Sequence, residues 1–136
     1  MNSDREAWQE WYEKRTVKPK PNKYGATAVH VDGLRFDSMR EAARYGELKL
    51  LEQAGEITAL EVQPAFPLMV ADLTTDGPPW VFHTIGVYHA DFQYRTVVTG
   101  QVIVEDVKAK PTRTEAYQRT KKHVQAQYGI VITEIA

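Results

Sequence analysis

Cysteine is missing from this sequence of 136 residues. That excludes cysteine nucleophiles, thiolate zinc sites, iron–sulfur clusters and a disulfide framework. Long apolar runs are missing too: no stretch approaches the ~20 residues a membrane helix needs. Met1-Asn2-Ser3-Asp4-Arg5-Glu6 lacks the basic start and apolar block of a secretory signal, so a soluble cytoplasmic protein with no membrane contact is expected. No glycine-rich phosphate loop occurs, and the four histidines show no zinc-ligand spacing. Ser38 lacks the G-x-S-x-G context of a serine hydrolase. A large charge excess of either sign is also absent: Lys+Arg 17 against Asp+Glu 18 leaves −1.

The charges are unevenly distributed. Lys14, Arg15, Lys18, Lys20 and Lys23 form one basic block with no acid among them. Lys108, Lys110, Arg113, Arg119, Lys121 and Lys122 form a second, broken only by Glu115. Between Asp32 and Glu61 acids outnumber bases seven to four. Such a chain can attract a polyanion on one face and hold cations on another, or simply carry a solvated charged surface.

The length fits one domain with its own core. Residues 4–15 read as a short helix with Ala7, Trp8, Trp11 and Tyr12 on one stripe, suited to packing or a dimer surface. Lys18-Pro19-Lys20-Pro21 then reads as an extended basic linker, so 1–21 is an arm and 22–136 the domain. Residues 26–31 and 34–36 read as strands about an Asp32-Gly33 turn. Ser38 and Glu41 form a capping box for a helix running to about Ala54 and stopped by Gly55. Strands are expected at 57–63 and 66–71, bent at Pro64 and Pro67. A long or bulged strand is expected over 80–95, around Gly86. A strand at 101–108, a helix at 112–128 and a closing strand at 130–135 complete the order. The pattern predicts an α/β fold: a mixed sheet with an antiparallel meander between two helices.

Alternation along a strand places Asp106 and Lys108 on one face, with Glu105 and Val107 on the other. Asp91 sits on the preceding strand, and a hairpin would bring the two aspartates together. Two carboxylates and a lysine are costly on a sheet face unless they bind something. Two carboxylates are what a hard cation such as Mg²⁺ takes from a protein, waters and phosphate oxygens supplying the rest. A lysine beside them suits charge developing on a phosphorane-like transition state. The pattern points to metal-assisted phosphodiester hydrolysis.

Asp91, followed after fourteen residues by Asp106-Val107-Lys108, resembles the D…(D/E)-x-K signature of the PD-(D/E)xK nuclease superfamily. Asn22-Lys23-Tyr24-Gly25-Ala26, Phe36-Asp37-Ser38-x-x-Glu41-Ala42-x-Arg44-Tyr45-x-Glu47-Leu48, Ala90-Asp91-Phe92-x-Tyr94 and Val104-Glu105-Asp106-Val107-Lys108 are together similar to a phage-encoded family within it, of unknown function. The resemblance covers about residues 22–135. It implies a restriction-endonuclease-like core, to which the N-terminal helical arm is attached. It implies Asp91, Asp106 and Glu41 as Mg²⁺ (or Mn²⁺) ligands, with the Val107 carbonyl, and Lys108 as the catalytic lysine. Ala109 departs from the pattern, since glycine often follows the motif lysine, and His89 stands where an apolar residue is usual.

Alternatives stay open at this point. A bulge would make Glu105 the ligand in place of Asp106. Capping alone accounts for Glu41, and His89 would share a strand face with Asp91. Lys110, Arg113, Arg119, Lys121 and Lys122, with Lys18, Lys20 and Lys23 of the arm, suit contacts to a nucleic-acid backbone. The expected activity is metal-dependent endonucleolytic cleavage of DNA, on branched substrates such as a Holliday junction, by a homodimer. An inactive DNA-binding module, a protein-interaction or inhibitor protein, and an RNA nuclease are the competing readings.

Overall fold

The computed structural model describes residues 28–108 and 113–136. The expected arm at 1–21, with Lys18 and Lys20, lies outside them, as do Lys23 and Lys110. The chain divides into two units, Met1–Gly46 and Glu47–Ala136.

In the first unit, strands β1 (Val29–Val31) and β2 (Leu34–Phe36) pair antiparallel about Asp32-Gly33. Both turn residues take positive φ, 52° and 77°, the conformation this dipeptide tolerates in a tight hairpin. Tyr45 stacks on Phe36 with ring centroids 5.1 Å apart, and its hydroxyl donates to Asp32 Oδ2 at 2.9 Å. Tyr45 belongs to helix α1 (Met39–Gln53), which starts in this unit and continues into the second. The Glu41 N–H donates to Ser38 Oγ, and Glu41 Oε2 accepts from the Asp37 N–H. This is the expected capping box, reaching one residue further back. After α1, Gly55 takes φ 77° while Glu56 N–H bonds the Leu51 carbonyl, closing the helix end.

The second unit holds a four-stranded sheet in the order β3-β6-β7-β8, from Ile57–Val62, Phe92–Thr96, Val102–Val107 and Ile132–Ile135. The first three strands are antiparallel neighbours, and β8 runs parallel to β7. The connection from β7 to β8 carries helix α2 (Glu115–Tyr128). The α/β class and mixed sheet are thus as expected. The meander is interrupted, because β4 (Ala65–Asp72) and β5 (Val81–His89) leave between β3 and β6 to form a separate hairpin.

This hairpin corrects one expectation. Residues 80–95 are not one strand around Gly86; the break falls at Ala90-Asp91. There the chain changes partners. Up to His89 it pairs with β4, and from Phe92 it pairs with β3 and β7. The Ala90 N–H still bonds the Pro64 carbonyl, whereas the Asp91 N–H bonds the Glu105 carbonyl. A bulge does occur near Gly86: Leu68 faces Gly86 while Met69 faces Thr84, leaving Ile85 extra. Alternation therefore does not carry from His89 to Asp91, and exposed His89 ends β5.

Thr114 caps α2, its hydroxyl accepting from the Tyr117 N–H at 3.1 Å, and Gly129 closes it at φ 63°. Val124 of α2 is fully buried in a core with Phe66, Tyr88, Ala90, Val104 and Ile132. The core thus joins the hairpin, the sheet and α2. No helix among the described residues is long and apolar enough to cross a membrane.

Candidate active site

The β6–β7 ladder sets the site. Phe92 faces Glu105 and Gln93 faces Val104, with no register shift along the pair. Asp91, one residue before β6, therefore lies beside the last residues of β7. It is held there three ways. Its N–H donates to the Glu105 carbonyl at 3.0 Å, and its carbonyl accepts from the Gln63 N–H at 2.9 Å. Its Oδ2 accepts from the Val107 N–H at 2.6 Å. Val107 is the middle residue of the D-x-K triplet, so Asp91 is fixed to the backbone between Asp106 and Lys108.

Asp106 is only 1% exposed. Its Oδ2 accepts from the Tyr88 hydroxyl, a buried contact between β5 and β7. Its Oδ1 lies 3.7 Å from Lys108 Nζ. The Lys108 ammonium also sits over the Tyr117 ring, 4.9 Å from its centroid, and the Lys108 N–H bonds the Ile135 carbonyl. Both tyrosine hydroxyls are held well above their ordinary pKa, first by burial and then by the Asp106 carboxylate. They stay protonated and serve as donors.

Glu105 takes the other face, as alternation requires. It is 1% exposed, and its Oε1 accepts from the Tyr94 hydroxyl at 2.6 Å. The unbroken β6–β7 register leaves no bulge to turn it toward Lys108.

The second basic block is mostly committed to ion pairs. Glu134 of β8 is the register partner of Asp106. Lys121 Nζ lies 3.0 Å from its Oε1 and Arg113 Nε 3.0 Å from its Oε2. Tyr117 donates to Oε1 at 3.4 Å. Lys121 foremost, then Arg113, holds the Glu134 carboxyl below the usual range. Arg113 and Lys121 therefore meet a carboxylate here rather than standing open to a phosphate. Arg119 pairs with Glu115 one turn away, and Lys122 is exposed.

Glu41 lies in the first unit, whereas Asp91, Asp106 and Lys108 lie in the second. Three contributors were not evident from the motif: Tyr88, Tyr117 and Glu134. Tyr117 did carry a signal, since 117, 121 and 124 share one stripe of α2.

The donor set suits a hard cation. Asp91 and Asp106 bring two carboxylates to Val107, the first bonded to its N–H and the second its neighbour in the chain. Among the described residues no group of three or more His, Asp or Glu side chains forms a metal cage. Mg²⁺ ordinarily takes one or two carboxylates from a protein, whereas a caged metal needs more ligands.

The model of the family described as "Protein of unknown function (DUF1064)" matches residues 21–134. The chain belongs to this family. No curated protein and no solved structure matches it.

Proposed function

We propose that this DUF1064 member is a metal-dependent endonuclease of the PD-(D/E)xK type, cleaving DNA phosphodiester bonds in the cytoplasm. One observation carries the reading. Asp106 and Lys108 share a face at the end of β7, while Asp91 is bonded to the N–H of Val107 between them. The order of α1, β3, β6, β7, α2 and β8, with the hairpin set between β3 and β6, supports the restriction-endonuclease-like reading.

In this proposal Asp91, Asp106 and the Val107 carbonyl hold Mg²⁺ or Mn²⁺. The cation supplies Lewis acidity to the phosphate and acidity to water. Lys108 contributes a fixed positive charge beside the non-bridging phosphate oxygens, where negative charge develops. Its ammonium is held between the Asp106 carboxylate and the Tyr117 ring, so little reorganisation is needed. Water attacks phosphorus in line with O3′. The P–O3′ bond breaks, the attacking water gives up a proton to solvent and O3′ takes one up, leaving a 5′-phosphate and a 3′-hydroxyl. Capping already accounts for Glu41, and no ligand role is assigned to it.

The proposed substrate is branched DNA. A four-way junction offers two strands for symmetric cuts, which a twofold homodimer matches. The test is cleavage of labelled four-way junction, flap, duplex and single-stranded DNA with Mg²⁺ or Mn²⁺. Wild type is compared with Asp106→Asn and Lys108→Ala. Paired symmetric nicks in the junction, reduced about 10²-fold or more in both variants, are expected. Cleavage without junction preference discards the substrate and keeps the chemistry. No cleavage of any DNA with either metal refutes the proposal.

A further inference from the structure

Tyr88 stands outside the D…D-x-K pattern and outside the four-stranded sheet. It lies on β5 of the hairpin, as the register partner of Phe66, with ring centroids 6.2 Å apart. Its ring is buried in the core with Ala90, Val104 and Val124, so it has little freedom to move. At the far end of that ring, its hydroxyl donates to Asp106 Oδ2. The other Asp106 oxygen faces Lys108. One oxygen of the carboxylate is thus held by a rigid donor, while the other lies toward Lys108, with Tyr117 beside it. Packing does not need this hydroxyl, because a phenylalanine ring would fill the same space.

We propose that Tyr88 is a positioning residue, fixing the Asp106 carboxylate through Oδ2 so that Oδ1 is presented to a divalent cation. The inference rests on the nuclease reading and deepens it. Partners that orient a metal-ligating carboxylate typically contribute about 10–100-fold in metal affinity. The inference also gives the inserted hairpin a role: it carries the donor that aligns a ligand on β7.

The test uses the full chain, stripped of metal, with Tyr88→Phe against wild type. Mn²⁺ affinity is measured by calorimetry, and thermal melting without metal reports folding. The expected result is a folded variant that binds Mn²⁺ about 10-fold or more weakly. Its cleavage falls at low metal and recovers as metal is raised. A folded variant with wild-type Mn²⁺ affinity overturns the role of Tyr88 and leaves the nuclease reading standing. Wild type that binds no Mn²⁺ removes both. Should Tyr88→Phe not fold, the Tyr88 hydroxyl proton is followed by NMR in wild type during Mg²⁺ addition. A shift that is absent in Asp106→Asn supports the role, and a resonance unmoved by Mg²⁺ overturns it.

Discussion

Replacing Asp106 by asparagine separates a residue kept for chemistry from one kept for the fold. Asparagine preserves the shape and still offers Tyr88 an oxygen to bond. The charge is lost, and the oxygen facing Lys108 becomes an NH2 group. At 3.7 Å and an effective dielectric near 20, the gross attraction between Asp106 and Lys108 is about 4 kcal/mol. Against it stands the cost of holding a carboxylate at 1% exposure, several kcal/mol. Glu134, directly across in the β7–β8 register, adds like-charge repulsion. Lys108 keeps 28% of its side chain open to solvent and needs no replacement partner. The sum is a metal-free protein equally stable or stabilised by up to about 2 kcal/mol, a rise in Tm of up to about 8 °C. The assay is thermal denaturation in EDTA at pH 7, alongside junction cleavage. Loss of cleavage with unchanged or higher Tm is expected. A loss of roughly 3–5 kcal/mol is the mark of a buried pair broken on one side. It would mean Asp106 is structural, and the reasoning would be refuted.

Val124→Ala removes two methyl groups from the fully buried side of α2 and is expected to cost about 2–3 kcal/mol, read by urea denaturation. A cost below about 1 kcal/mol would contradict the packing described. Thr114→Ala removes the α2 cap and is expected to cost about 1 kcal/mol, with Thr114→Ser restoring most of it. Glu134→Gln removes a carboxylate whose folded pKa is lowered by Lys121 and Arg113. The stability it contributes is complete above the unfolded pKa of about 4.3 and is lost as pH falls through the lower folded value. Wild type should therefore melt above Glu134→Gln at pH 7, by about 1 kcal/mol for a part-buried carboxylate facing two cations, and the gap should close toward pH 2. A gap that widens on acidification would contradict the pairing.

Local signals were legible where local physics decides. Asp32-Gly33, the Ser38–Glu41 cap, Gly55 and Gly129 each fixed a turn or helix end that the structure reproduces. Alternation placed Asp106 and Lys108 together and Glu105 opposite, because β7 runs without a bulge. What escaped was partner choice. The strand break at Ala90-Asp91 reflects a change of neighbouring strand, which no periodicity in residues 80–95 records. Nothing local marks Tyr88, because its hydroxyl finds Asp106 only through the separate hairpin. Nothing local marks Glu134 either, because Lys121 and Arg113 reach it across the crossover.

The parallel pairing of β7 with β8 orders events during synthesis. The Lys108 N–H finds its acceptor at Ile135, and Glu134 collects Arg113, Tyr117 and Lys121. At roughly 5–20 residues per second, the ribosome takes on the order of one to five seconds to travel from Lys108 to Ile135. During that interval Asp91, Asp106 and Lys108 already exist, but the strand that flanks them does not. A nascent chain therefore carries Asp91 and Asp106 with the neighbours that hold them before it carries Tyr117 and Ile135, the two contacts of Lys108.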